Sequence, residues 1–308
     1  MDAKQIIKVN SLKKNYKTVT AIEDINFNVT KGEIFGLIGP DGAGKTSIFR
    51  IITTLLVPDE GNATVEGYDV TYDYRKIRSI IGYMPGRFSL YLDMTVRENI
   101  EFFATIFDTT IDENYHLIKD IYQQIEPFKD RLARNLSGGM KQKLALSCAL
   151  IHKPSVLVLD EPTTGVDAVS RKEFWEMLVK LKEQSITILV STPYMDEASL
   201  CDRVGLIQNG RILSIDTPDR ILKNFPKKLL AVQSANTYQL LKDLREIKNL
   251  HSVYPSGSKI HVTGNEEKLD ALQIREFLID RNHEKIEIHD ITPTIEDCFI
   301  ELMSEKDE

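Results

Sequence analysis

Three short groups of residues could do chemistry on phosphate. Gly39-Pro40-Asp41-Gly42-Ala43-Gly44-Lys45-Thr46 has the GxxxxGK[ST] spacing of a phosphate-cradling loop. Its glycines let backbone N–H groups turn inward toward an anion. Lys45 would reach the β- and γ-phosphates of a nucleotide, and the Thr46 hydroxyl would ligate Mg²⁺. Ser47 then begins a helix whose N-terminus adds about half a positive charge. Val156-Leu157-Val158-Leu159-Asp160-Glu161 is an apolar run ending in two carboxylates. Asp160 would hold Mg²⁺, directly or through water. Glu161 would polarise an attacking water, as general base or water-positioner. Leu136-Ser137-Gly138-Gly139-Met140-Lys141-Gln142 opens another helix. Its Ser hydroxyl and N–H groups could meet a phosphate in turn. The glycine spacing is not GxGxxG, which excludes a dinucleotide fingerprint.

These groups need elements to position them. Short apolar runs at 6–9, 21–29 and 34–38 read as strands, the last feeding the loop at Gly39. Residues 48–56 read as helix, 79–83 as strand and 96–107 as helix. Residues 156–159 and 186–190 read as buried strands separated by a helix over 169–181. Unbroken apolar runs separated by helices predict a parallel sheet covered on both faces. Antiparallel sections are expected at the start and near 62–70 and 204–214. Two carboxylates at the end of such a strand lie where α/β sheets bind ligands.

The 308 residues are 42% hydrophobic and 28% charged, enough for a full core and about two domains of ordinary size. The texture changes around Asn224–Lys228, which divides the chain into 1–225 and a small α/β domain over 226–308. That second part reads strand, helix, strand, strand, helix, strand, helix, and residues 304–308 are expected to fray. A net charge of −7 with no basic stripe argues against nucleic acid as partner. Cys148, Cys201 and Cys298 form no CxxC and fit a reducing cytosol rather than a disulfide or zinc framework. No apolar stretch approaches the ~20 residues a membrane span needs, so direct membrane insertion is not expected.

The order GPDGAGKT, LSGGMKQK, VLVLDE resembles the ABC ATPases, over about residues 5–225. The stretches GYMP and the DEA segment 196–198 bring it near the ATP-binding subunits of ABC-2 type exporters. The ending Thr292-Pro293-Thr294-Ile295-Glu296-Asp297-Cys298-Phe299 is similar to endings common among them. The resemblance implies a P-loop NTPase fold of the α/β class. That fold has a mixed, mostly parallel sheet, an antiparallel β subdomain and a helical subdomain around 96–134, followed by the small C-terminal α/β domain. It implies that Tyr16 stacks on adenine and that ATP and Mg²⁺ are the cofactors. Ser137, Gly138 and Gly139 would serve nucleotide held by a second cassette, whose site Asp167 would also touch. A polytopic ABC-2 permease is the implied partner, and the inner face of the cell membrane, peripherally from the cytoplasm, is the implied location. The stretch 87–94 is where this family meets a cytoplasmic helix of the membrane subunit.

Two catalytic positions depart from the family. Gly86 stands where the Q-loop carries Gln, and Pro193 where the switch carries His. Glycine offers no amide, and proline has neither ring nitrogen nor backbone N–H. Thr192, Tyr194 or a water could cover part of the role in a symmetric homodimer. The alternative is an asymmetric pair, in which this chain turns over its own ATP slowly and its intact LSGGM completes a competent site on a different cassette. A soluble regulatory ATPase without a permease is the reading from another class. None of the six histidines falls at the switch: His116 and His152 lie in helical or loop stretches, and His251, His261, His283 and His289, in the C-terminal domain, are expected to be solvated or core residues rather than metal ligands.

Overall fold

The computed structural model of the chain describes residues 4–264 and 269–304. Beyond Ser304, the expected fraying lies outside the described residues. The chain divides into two units, Met1–Pro218 and Asp219–Glu308.

In the first unit a long hairpin, β1 (Gln5–Tyr16) and β2 (Val19–Thr30), precedes β3 (Ile34–Ile38), the loop at 39–44 and helix α1 (Lys45–Ile52). Next come β4 (Glu60–Val65), β5 (Tyr68–Asp69), α2 (Tyr74–Ile80), β6 (Ile81–Met84), α3 (Val96–Ile106) and α4 (Ile111–Tyr122). Helix α5 (Gly138–Leu150), β7 (Val156–Asp160), α6 (Ala168–Glu183), β8 (Thr187–Thr192), β9 (Arg203–Gln208) and β10 (Arg211–Asp216) complete it, and α7 (Pro218–Lys223) follows.

The central sheet has the order β10-β9-β3-β8-β7-β6, and only β10 runs antiparallel within it. Every residue of β3, β7 and β8 is buried, as continuous apolar runs require when helices cover both faces. A second, antiparallel sheet runs β2-β1-β4-β5. The inner face of α1, with Ile48, Phe49, Ile51 and Ile52, lies in a core shared with both sheets, where Phe27 stacks on Phe35 at 5.3 Å.

Local differences from the sequence reading have local causes. Helix α1 stops at Ile52 rather than at 56, because Thr54 turns left-handed at φ 63° and the Leu55 N–H closes back on the Arg50 carbonyl at 2.7 Å. Residues 79 and 80 close α2 instead of opening a strand. That seven-residue helix buries only Ile77, so it shows no apolar period. Helices α3 and α4 each begin with a complete capping box, Thr95/Glu98 and Thr110/Glu113.

The second unit contains β11 (Lys228–Gln233), α8 (Thr237–Leu244), β12 (Ser252–Ser256), β13 (Lys259–Gly264), α9 (Ala271–Asp280), β14 (Glu287–Asp290) and α10 (Ile295–Ser304). Its sheet runs β12-β13-β11-β14, antiparallel throughout, over a core of Leu230, Val232, Leu240, Ile260, Val262 and Leu278. The element order is the one expected. Helix α8 ends at Leu244, and tight turns carry residues 245–250.

Candidate nucleotide site

The phosphate-cradling loop leaves β3 and enters α1, as its chemistry requires. Gly39 sits so close to β9 that a Cβ there would lie 2.0 Å from the Ile207 carbonyl oxygen. Gly44 has φ 106°, and a Cβ would lie 2.6 Å from the Ala21 oxygen. Only glycine fits these two positions without backbone movement. The loop is therefore pinned at its entry by one sheet and at its exit by the other. Between them, Ala43 donates to the Pro40 carbonyl, and its own carbonyl accepts from Gly210.

Lys45 is 3% exposed and turned back over the loop. Its ammonium donates to the carbonyls of Gly39 at 2.7 Å and Pro40 at 3.0 Å, and it pairs with Glu161 Oε1 at 3.2 Å. The sheet thus brings together a lysine and a carboxylate that are far apart in sequence. Thr46 is half-buried at the start of α1. Tyr16, at the end of β1, is 42% exposed, and its hydroxyl lies 3.3 Å from Ser47 Oγ. The aromatic ring and the start of α1 are therefore neighbours.

Asp160 closes β7 and is buried. Its Oδ1 accepts from Ser191 Oγ of β8 at 2.7 Å. Ser191 also holds the next residue, since the Glu161 N–H points to its carbonyl oxygen at 3.1 Å and its hydroxyl at 3.0 Å. Glu161 has φ 50°, an unusual conformation for a non-glycine residue. Ser191 thus fixes both acids. Tyr83 of β6, half-buried beside them, has its phenol pushed up to about 12 by burial and then by the Asp160 charge.

Gly86 lies against the same carboxylate. A Cβ built there would be 3.1 Å from the Asp160 carbonyl oxygen and 3.8 Å from its carboxyl carbon. At the end of β8, the Thr192 hydroxyl accepts from the Tyr194 N–H at 3.0 Å and donates to Glu197 at 2.5 Å. The Tyr194 ring lies under the Arg171 guanidinium at 4.5 Å.

Ser137 is the N-cap of α5, where its hydroxyl accepts from the Met140 N–H at 3.3 Å. Asp167 is the N-cap of α6, accepting from Val169 at 3.1 Å and Ser170 at 3.0 Å. Those hydrogen bonds hold its carboxyl below the usual range. The two helix starts meet: a Cβ on Gly139 would be 2.7 Å from Ser170 Oγ, and one on Gly138 3.6 Å from the Gly165 oxygen. Among the described residues no hydrogen bond joins Ser137–Gly139 to the loop at 39–46.

The donors present fit Mg²⁺. Thr46 and Asp160 offer hard oxygens, and phosphate oxygens and water complete such a shell. Among the described residues no group of three or more His, Cys, Asp and Glu could form an all-protein cage. His261 is buried against Asp297, His289 is exposed, and His152 stacks on Phe107 at 3.8 Å. The three cysteines are buried and unpaired. Ser191, Thr163, Glu197 and Arg171 are the site residues that sequence reasoning missed. Only Ser191 carries a visible signal, a small hydroxylated residue directly after the apolar run 186–190.

Beside Gly86, an apolar cleft of about 470 Å³ opens between β6 and the helices α3 and α5, lined by Leu55, Met84, Pro85, Leu90, Phe103 and Phe107. No helix among the described residues is long and apolar enough to cross a membrane.

Residues 22–164 match the sequence pattern of the ABC transporter family. The probable multidrug ABC transporter ATP-binding protein YbhF of Escherichia coli K12 is 39% identical over 236 residues, covering 76% of this chain and 39% of that relative. The chain thus spans about two fifths of YbhF. The Nod factor export ATP-binding protein I of Rhizobium sp. strain N33 is 32% identical over 307 residues, 97% of each chain. Among solved structures, cbiO1 from Clostridium perfringens, part of the ABC transporter complex cbiONQ, superposes with a TM-score of 0.64 at 28% identity, over 71% of this chain and 91% of that one. A dimeric ATP-binding cassette in a post-hydrolysis state with ADP and Pi superposes at 0.63 and 26% identity, over 69% and 98%. The strand-loop-helix with Lys45, the serine-capped α5 and the two acids at the end of β7 all lie within the matched stretch, and the chain belongs to the ABC transporter family.

Proposed function

We propose that this chain is the ATP-binding subunit of an ABC-2 type exporter, binding Mg-ATP and coupling cassette dimerisation and ATP hydrolysis to export through a separate permease. The observation that carries the reading is the convergence of Lys45, Asp160 and Glu161 at one end of the central sheet, with Lys45 and Glu161 3.2 Å apart. Gly39–Ser47 would bind the phosphates and Tyr16 the adenine. Thr46 and Asp160 would hold Mg²⁺, which neutralises charge on the phosphates. Glu161 would orient the attacking water. Export comes from the relatives named for it. The apolar cleft beside Gly86 supports a permease partner, since that part of the family meets a cytoplasmic helix of the membrane subunit.

Ser137–Gly139 and Asp167 lie together on the chain's surface, and this favours their serving the nucleotide of a second cassette. The chain's own site turns over slowly in this reading, because neither Gly86 nor Pro193 can handle the γ-phosphate or its water. Thr192 is committed to Glu197, and Tyr194 to Arg171. Both commitments weigh against their replacing the histidine. The partner would then be a different cassette that keeps Gln and His. The second unit is an accessory domain in this scheme.

The test compares steady-state ATP hydrolysis by the full chain with that of the Gly86→Gln/Pro193→His variant, with Glu161→Gln as the blank. Losing one positioned group typically costs ~10²–10³ in rate, so restoring two should raise turnover at least tenfold. A natural chain that is already fast and gains nothing favours a symmetric homodimer.

A further inference from the structure

From the geometry around one buried carboxylate, we infer that Glu197 is a positioning residue that locks the segment after Glu161 to the segment after β8. The inference rests on the ATPase reading above.

Glu197 is 3% exposed and lies in the turn that follows β8. A carboxylate so deeply buried is costly unless several donors reach it. Here they come from three separate pieces of chain. Thr163, two residues past Glu161, donates its hydroxyl to Oε1 at 2.9 Å, with Oε2 at 3.2 Å. Thr192, the last residue of β8 and the one before Pro193, donates to Oε2 at 2.5 Å. Arg171 of α6 brings its Nε to 3.8 Å. The same guanidinium pairs with Asp196 at 3.1 Å and covers the Tyr194 ring.

The chain passes directly from Glu161 through Pro162 to Thr163, and directly from Thr192 through Pro193 to Tyr194. Each proline limits the backbone between the anchored threonine and the residue that flanks the nucleotide. Fixing Thr163 therefore fixes the direction of the chain leaving Glu161. Fixing Thr192 fixes where Pro193 and Tyr194 stand. Because one carboxylate holds both hydroxyls, the two segments cannot shift independently without breaking a charge-assisted hydrogen bond in a dry site. Arg171 adds the start of α6, which Asp167 caps, to the same unit. Position of the acid, position of the switch and orientation of the surface loop 164–167 are thus set together.

A misplacement of about 1 Å near reacting atoms can cost ~10²-fold in rate. Positioning thus predicts that Glu197→Gln and the double change Thr163→Val/Thr192→Val slow hydrolysis about 10- to 100-fold, with ATP affinity within about twofold. The measurement is single-turnover cleavage of labelled ATP by the full chain in excess, with affinity for a fluorescent ATP analogue and thermal melting followed in parallel. The threonine variants remove two hydroxyls and little volume, so they decide the matter if Glu197→Gln does not fold. Cleavage rates equal to that of the natural chain, with only the melting temperature lowered, overturn the inference and leave the ATPase reading standing. A natural chain that binds no ATP, or binds and never cleaves it, overturns both.

Discussion

The ammonium of Lys45 is shared between the carbonyls of its own loop and the Glu161 carboxylate, 3.2 Å away just past the end of β7. Arriving phosphates would compete for that ammonium and release Glu161 toward water. Lys45→Ala should therefore weaken ATP binding more than tenfold, as read by a fluorescent nucleotide titration. Glu161→Gln should do the opposite for binding, keeping or tightening it while hydrolysis drops by ~10²–10³. Equal loss of affinity in both variants would contradict these separate roles.

Gly39 and Gly44 mark where the loop has no room to give. Alanine at Gly39 would press a methyl against the Ile207 carbonyl, and at Gly44 against that of Ala21. Each should cost about 2–4 kcal/mol, by overpacking and, at Gly44, also by backbone strain. Gly42 has positive φ but nothing within 4 Å of its Cβ direction. Gly42→Ala should cost less, about 1 kcal/mol, since only strain acts there. Chemical denaturation of the three variants gives the ranking.

Ser137 spends its hydroxyl as a helix cap within its own chain. Ser137→Ala should cost the fold only about 1 kcal/mol. Its effect on turnover should be larger and should appear only where two cassettes meet. Specific activity should rise with protein concentration in the natural chain, and the variant should flatten that rise. Analytical ultracentrifugation with ATP and Glu161→Gln shows whether the pair still forms.

The second unit should be acid-labile. Burial alone would raise the Asp297 pKa, but hydrogen bonds from Thr294, His261 and Tyr254 outweigh it and hold it below the usual carboxylate range. Asp243 behaves alike: burial opposes, and His283, Gln239 and Arg281 prevail. A folded pKa below the unfolded value means stability that is present above about pH 4 and lost as pH falls through the folded value. Thermal melting from pH 6 to 3 should fall steeply below about pH 4. Asp297→Asn should flatten that dependence while lowering the melting temperature at neutral pH.

Much of this architecture is legible in the sequence because its signals are strong and local. The runs 34–38 and 156–160 are apolar at every position up to their functional ends, which marks both the strand and the place where chemistry begins. The glycine spacing at 39–44 is legible for the same reason: two of those positions tolerate nothing else. Helix α2 was not legible, since it buries one residue and carries no period. The partners Ser191, Thr163 and Glu197 escaped because their role depends on strand order, which sets β7 beside β8. A serine at the end of an apolar run looks the same whether or not a carboxylate lies across from it. The aspartate of the 292–299 segment shows the converse, a motif legible as a string whose physical role, gathering Tyr254, His261 and Thr294, appears only with the sheet in place.

The burial of all three cysteines has a practical side. Burial pushes the thiols of Cys148 and Cys201 up and that of Cys298 to about 12, so none offers appreciable thiolate at neutral pH. The natural chain is therefore a quiet background for thiol-specific reagents. A single cysteine introduced at an exposed position, such as Val169 beside the start of α6 or Tyr72 in the antiparallel region, would be the one that takes a spin label or a fluorophore. Opening and closing of a cassette pair could then be followed by distance, in the unaltered nucleotide site, without first stripping the protein of its own sulfur.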